Sequence, residues 1–504
     1  MLNFLWGVNR PVVRSFVWMF AALSMVALLS QPGSIQNEWS HAAGVWCGQG
    51  ERDVLCPEIQ TSKDGTELAL TNIADTECWP RETAPRLCPE SRTDLNPISI
   101  TGGSYPSLFN FGLSWLVLPS VDLSVLLIRL SNAFILSATL AVLSLLLPRQ
   151  YQRTLALLIV AVFTGPGLFM MVSINPLSWA TIGIGLGWLP LHAALAPNEL
   201  GTAHRRTLAA VSVLLFVLAV GSQRSAIGFS VVVLALIAAH LGWLALPSRR
   251  SALFKIFGIS LGVLLVALEL LSPRTPHTLF LSSFSPNGSA LNEAAPESFY
   301  YLRDLLPVIP SAVRALFGFP SWNPANPLLL TVSFPEIVTL GGVGLLGYLI
   351  VRSGCSKQGF QAVGAGVVLS VVALVLFAQV SLQETIGNTV PDSLSVYPLI
   401  AFLAGWWFFH APFERSECLV NSLRTPAVIA VALFAVTSFT VAERFVDRQT
   451  FGLRYLPEGL DQWWWTAMPV GPNVILILAS MFLWRFLSAY TTALVSSENG
   501  LRRT

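Results

Sequence analysis

Runs of about 20 apolar residues recur along the whole chain, and each is long enough to cross the hydrocarbon core of a bilayer as a helix. They fall at roughly 14–31, 121–147, 154–173, 176–196, 207–222, 225–246, 254–271, 329–351, 360–381, 394–411, 425–442 and 472–492. The expected fold is therefore an all-α polytopic membrane protein with about twelve transmembrane helices joined by extracytoplasmic loops. Composition agrees: 54% of the residues are hydrophobic and 11% are charged, where a soluble domain carries roughly 25% charged residues. That balance excludes a cytosolic enzyme and a disordered chain. With 29 Lys+Arg against 27 Asp+Glu, a net charge of +2 and no basic tract, nucleic acid is excluded as a partner. The bilayer is the expected partner, and 16 Trp with 30 Phe can furnish aromatic belts at its two interfaces.

Arginine placement sets the orientation. Arg149 and Arg153, Arg205 and Arg206, Arg249 and Arg250, Arg352, Arg415 and Arg424, and Arg502 and Arg503 fall in short loops on the same side as Arg10 and Arg14. By the positive-inside rule that side is the cytoplasm, and an even number of spans puts both termini there. Arg10 and Arg14 before an apolar core imitate a signal peptide, but the following Ser30-Gln31-Pro32-Gly33 offers no small-residue cleavage site. A retained anchor is expected, and the use of arginine everywhere but at Lys63, Lys255 and Lys357 suggests a GC-rich bacterial genome and hence a bacterial cytoplasmic membrane. The organisation read from these limits is a cytoplasmic tail and first span over 1–31 and a first outer segment over 32–120. Spans follow over 121–271, a second outer loop over 272–328, spans over 329–442, a third outer loop over 443–471, and a last span with a cytoplasmic tail over 472–504. A chain with short inner loops and long outer ones is expected to work at its outer face.

Cys47, Cys56, Cys78 and Cys88 all lie in the first outer segment. Four thiols in an oxidising compartment read as two disulfides, with three connectivities open. Local closure favours Cys47–Cys56 and Cys78–Cys88. The spacings do not supply the close pairs a zinc site uses. The segment shows no evident core of its own, so the disulfides are expected to hold it.

Chemistry-bearing residues gather near the outer boundary. Glu38 and His41 sit three residues apart, on one face of a helix, just beyond the first span. A carboxylate there can serve as a general base or bind a divalent cation; it can equally be a helix-start acid beside an interfacial histidine. Asp122 and Arg129, seven residues apart in the second span, read either as an internal ion pair or as an anion site. Arg224 ends Gly221-Ser222-Gln223-Arg224 at the outer end of the fifth span, and a guanidinium suits phosphate oxygens. Tyr105-Pro106-Ser107-Leu108-Phe109 opens a surface helix, and Ser173-Ile174-Asn175-Pro176 makes an outer turn. Arg454-Tyr455 precedes Trp463-Trp464-Trp465, an interfacial anchor or a sugar-stacking surface. His192, His204, His240 and His410 read as interfacial. The chain has no Walker loop, no dinucleotide fingerprint and no H-E-x-x-H.

In this order the pieces resemble a family of bacterial, largely actinobacterial, multi-pass proteins of unknown function that is grouped with the GT-C glycosyltransferases. The resemblance rests on Asn37-Glu38-Trp39-Ser40-His41 against an acidic D-E-P-x-H-type motif and on Tyr105-Pro106-Ser107-Leu108-Phe109 against a Y-P-P-L-Y-type segment. It continues through Arg129, Asn175-Pro176, Arg224, Ser395-Val396-Tyr397 against a G-R-Y-type motif, and Arg454-Tyr455. Two positions depart: the first acid is Asn37, and the late arginine is Val396. The resemblance implies a GT-C-like enzyme moving a sugar from a polyprenyl-phosphate donor to an envelope glycan or lipid acceptor. Glu38 would deprotonate the acceptor hydroxyl or hold Mg²⁺ or Mn²⁺, His41 would orient it, and Arg129 and Arg224 would bind the donor phosphate. Tyr105, Asn175, Arg454 and Tyr455 would contact substrate. A lipid-glycan transporter or flippase and a non-catalytic envelope assembly subunit are the competing readings.

Overall fold

A computed structural model describes residues 10–29, 38–51, 55–61, 67–71, 96–100, 107–162, 166–196, 200–223, 225–244, 397–410 and 472–499. The expected spans near 254–271, 329–351, 360–381 and 425–442 lie outside the described residues. Most of the described chain is helical. Helix α1 covers Arg10–Leu29 and α2 covers Glu38–Trp46. Three strands follow, β1 Glu58–Thr61, β2 Glu67–Thr71 and β3 Asn96–Ile100. Then come α3 Ser107–Ser114, α4 Val121–Leu146, α5 Arg149–Val162 and α6 Pro166–Val172. Next are α7 Pro176–Leu195, α8 Thr202–Ser222, α9 Ser225–Leu244, α10 Tyr397–His410 and α11 Pro472–Asn499.

Two of these helices, α4 and α8, are long and apolar enough to cross a membrane, and shorter apolar helices run over Val13–Leu29 and Val474–Tyr490. Their outward faces carry Val17, Phe134, Leu145, Leu214, Val217, Ile477 and Trp484, all exposed. In water such a surface would be an aggregation liability; a lipid contact removes the penalty.

Helix α7 is the axis of the bundle. Its sequence is apolar on every side, and such a helix has to be surrounded; every residue but Leu191 and Leu195 is buried. It starts cleanly because Asn175 Oδ1 accepts a hydrogen bond from Leu177 N–H at 2.9 Å and Pro176 occupies the first turn. Around it pack α8, α10, α9, α6 and α4, while α1 pairs with α11 and α4. The α7–α8 contact is backbone-close: a Cβ on Gly183 would run into Leu215 O and, at 2.6 Å, into Ala219 Cβ.

The expected span at 154–173 is instead two helices. α5 ends at Val162 and α6 begins at Pro166, since a proline supplies no N–H to a preceding turn and sterically opposes it.

The segment expected to be a loop with no core of its own is a small folded module. β1–β2–β3 form an antiparallel sheet with Glu58 opposite Leu70 and Glu67 opposite Ile100. Pro97 is tolerated because β3 is an edge strand. Ala42, Val45, Trp46, Phe109, Leu113 and the Cys47–Cys56 disulfide bury together with Val121, Val125, Ile128 and Trp179 of the bundle. The module is thus seated on the bundle end where α4 and α7 begin. Cys47–Cys56 is one of the two expected bridges; Cys78 and Cys88 lie outside the described residues.

Candidate functional site

Glu38 lies in the first turn of α2, where the exposed N–H groups of a helix favour a negative charge. Its carboxylate is buried and meets Arg129 of α4, which is fully buried. Arg129 Nε donates to Oε1 at 3.1 Å, and Nη2 donates to Oε1 at 2.9 Å and to Oε2 at 2.8 Å. The third guanidinium nitrogen, Nη1, donates to Ala27 O at 3.1 Å, near the end of α1. Glu38 Oε1 also accepts from Ile174 N–H, at 3.0 Å, in the turn between α6 and α7. One carboxylate–guanidinium pair therefore ties together α1, α2, α4 and the α6–α7 turn.

The sequence left Arg129 between an internal ion pair with Asp122 and an anion site. Its guanidinium is committed to an internal pair, with Glu38, 91 residues away in sequence, as the partner. Asp122 lies in the first turn of α4. An incoming phosphate would have to displace Glu38 to reach Arg129, and a buried carboxylate left unpaired is costly.

A second layer of polar groups lies beside the pair. Asn132, nearly one turn further along α4, donates from Nδ2 to Ser173 O at 2.7 Å and accepts from Trp179 Nε1–H at 2.9 Å. Trp179 in turn meets Phe109 of α3 edge-on, with ring centroids 5.0 Å apart. Sequence reasoning singled out neither Asn132 nor Trp179. The available signal was an amide in the middle of an apolar span, which demands a partner.

His41 shares the inward face of α2 with Glu38 and is buried. Burial pushes its imidazole down to about 4 from 6.5, because an imidazolium would lose its hydration there. The ring is neutral at physiological pH. The face therefore holds a net-neutral ion pair beside a neutral imidazole.

Asn175 is the buried N-cap of α7. Tyr105, Arg224, Arg454 and Tyr455 lie outside the described residues. A divalent cation does not fit this donor set. Among the described residues no group of three or more His, Cys, Asp or Glu side chains converges, and both Glu38 oxygens face a guanidinium that would repel the ion.

Among the other histidines, His192 is buried, and His204 and His240 are partly buried. His192 of α7 is buried, its Nδ1 hydrogen-bonded to Tyr151 OH at 2.7 Å. It lies in an aromatic cluster with Trp406, Phe409 and His240, the two imidazoles having centroids 5.2 Å apart. His204 shares a hydrogen bond with Leu146 O at 2.8 Å. These groups lie toward the end of the bundle opposite the Glu38–Arg129 pair. No family model, curated protein or solved structure matches this chain.

Proposed function

We propose that the chain is a polytopic protein of a bacterial cytoplasmic membrane that transfers a sugar at the outer face, in the manner of a GT-C glycosyltransferase. Its donor is a polyprenyl-phosphate sugar and its acceptor an envelope glycan or lipid. The observation that supports this reading is the position of the buried polar groups. Glu38, His41, Arg129, Asn132, Ser173, Asn175 and Gln223 are all buried and belong to the end of the bundle that carries the folded module. Polar side chains buried in an apolar bundle are expensive and mark the place of function.

In this reading the roles differ from those the sequence suggested. Glu38 is a positioning residue: its pair with Arg129 fixes α2 against the bundle and thereby fixes His41. The acceptor hydroxyl forms its C–O bond to the anomeric carbon as the bond from that carbon to the phosphate oxygen breaks. The polyprenyl phosphate leaves with the electron pair, and the hydroxyl proton passes to the neutral His41 imidazole and on to solvent. A weak base suffices where the anomeric carbon becomes oxocarbenium-like before the proton moves. Membrane orientation follows the arginine bias, with both termini cytoplasmic.

One observation favours a second reading, that of a non-catalytic envelope assembly subunit. Both Glu38 oxygens are engaged, and Asn37 occupies the position of the first acid in the motif. Reconstituted protein given a labelled polyprenyl-phosphate sugar and an envelope acceptor separates the readings. A glycosidic product that falls about 10²-fold or more in His41→Ala supports transfer by this site. Movement of the labelled lipid across the bilayer without product supports a flippase, and neither result supports the assembly subunit.

A further inference from the structure

Two buried amides at the end of the bundle that holds the Glu38–Arg129 pair each end in an atom with no hydrogen-bond partner among the described residues. Asn175 is fully buried and spends Oδ1 on the α7 cap, leaving the Nδ2 donor unmade. Gln223 is 4% exposed and closes α8. Its backbone N–H donates to Ala219 O, its carbonyl accepts from Ala226 N–H, and its side-chain Oε1 has no partner. Native structures leave few buried amide groups unsatisfied, and each such group asks what completes it.

The packing of α7 on α8 sets these two residues at the same end of the helix pair. Gly183 meets Leu215 and Ala219, and further along α7 Gly187 meets Leu215 and receives the Ser212 Oγ–H bond at its carbonyl. Rising numbers on α7 thus meet falling numbers on α8, so the helices are antiparallel. Continued from Gly183 toward the start of α7, this register sets Gln223 level with the turn from Leu177 to Trp179. Asn175 lies one turn above Trp179 on the same stripe. Helix α3 closes the third side, with Phe109 against Trp179 and Leu108 against Gly221.

The chemistry of the pair selects its ligand. Asn175 offers a donor and Gln223 an acceptor, both uncharged, beside an ion pair whose charges cancel. A phosphate or carboxylate needs donors only, and a cation needs acceptors only. A hydroxyl group both accepts and donates, so it satisfies the two together. We propose that Asn175 Nδ2 and Gln223 Oε1 form a hydroxyl-recognition pair for a sugar, which reads the glycan part of the substrate and not its phosphate. That the sugar arrives on a lipid rests on the transferase reading above; the recognition of hydroxyls does not.

The test uses full-length protein in nanodiscs and two variants. Asn175→Asp keeps the α7 cap and replaces the donor by an acceptor. Gln223→Met keeps the shape and removes the orphaned acceptor, so its ligand-free melting temperature should equal or exceed that of the parent protein. The probes are a short prenyl phosphate, the same prenyl phosphate carrying a hexose or a pentose, and the corresponding methyl glycosides. At least one sugar-bearing lipid should bind the parent about ten-fold tighter than the bare prenyl phosphate, and each variant should erase that difference while leaving the bare lipid unchanged. Variant-sensitive binding of a methyl glycoside with no preference among the lipids keeps the hydroxyl pair and assigns it to a free sugar.

The proposal is overturned if the parent binds none of the probes. It is also overturned if sugar-bearing and bare lipids bind alike and the glycosides do not bind, the amides then holding water only. Equal weakening of both lipids by the variants, or a destabilised Gln223→Met that binds normally, overturns it too. Product formation with variant-insensitive sugar affinity would sink the hydroxyl pair and leave the transferase reading standing. Variant-sensitive sugar binding without product would do the reverse.

Discussion

Replacing Glu38 by glutamine keeps the shape of the side chain but leaves the buried Arg129 guanidinium without its counter-charge. Breaking one side of a buried pair typically costs about 3–5 kcal/mol, so Glu38→Gln should lower the melting temperature as well as any activity. A carboxylate exposed at the interface could be neutralised with little effect on folding, but Glu38 is buried. Arg129→Met should be destabilising to a similar degree. The double variant should recover most of the loss, giving a coupling energy of about 2 kcal/mol or more in a thermal-denaturation cycle. Additive losses would show that the pair does not hold the fold. His41 gives a separate signature in pH. Its folded-state value of about 4 lies below the 6.5 of an unfolded histidine, so between these values the unfolded chain binds more protons. The stability that neutral His41 contributes is complete above about pH 6.5 and is lost as the pH falls toward about 4, in all a few kcal/mol. A His41→Asn variant should flatten that part of the stability–pH curve, and an unchanged slope would remove His41 from the account.

At the scale of elements, two close contacts carry the arrangement. Gly48 follows α2, and a Cβ there would lie 2.6 Å from Asn110 O and 2.8 Å from its carbonyl carbon in α3. Backbone cannot yield as a side-chain tip can, so Gly48→Ala should pry α2 from α3 and cost about 1–3 kcal/mol. Gly201→Ala, where nothing lies within 4 Å of the added Cβ, should be close to neutral in the same melting assay. The Cys47–Cys56 bridge, with a sequence separation of 9, closes the chain just after α2. Loop-closure estimates for a ring of that size give about 2–3 kcal/mol, placed on the module that carries Glu38 and His41. Non-reducing peptide mapping should recover Cys47 and Cys56 in one cross-linked fragment. Their full alkylation in native protein would contradict the bridge.

For the whole molecule, the expected arrangement is a bundle wrapped around α7 with its folded module on the external side. Arginine bias and an even span count lead to the expectation that both termini are cytoplasmic. A cysteine introduced by Ser497→Cys should therefore resist an impermeant thiol reagent in intact cells and react after permeabilisation. A cysteine introduced by Gln60→Cys, in β1 of the module, should react from outside without permeabilisation. The opposite pattern would invert the molecule and move the Glu38 site to the cytoplasm.

Amino-acid sequence alone determined the helical elements wherever apolar length and end signals agree. α4, α7, α8 and α9 lie within a few residues of their expected limits, because spanning length and Asn-Pro or Ser caps are local properties. It also favoured, among three connectivities, the Cys47–Cys56 bridge that the structure shows, since closure over a short ring needs no distant information. The break between α5 and α6 was hidden because hydropathy stays high through a proline that stops hydrogen bonding. Only tertiary structure decided what the charged residues do. Sequence spacing offered Asp122 to Arg129 at helical distance, whereas folding brought Glu38 from 91 residues away. The same holds for Asn132 with Trp179, 47 residues apart in sequence. Covalent neighbours set which helices form, but a buried charge takes whichever partner the packing delivers, and packing is a property of the assembled bundle.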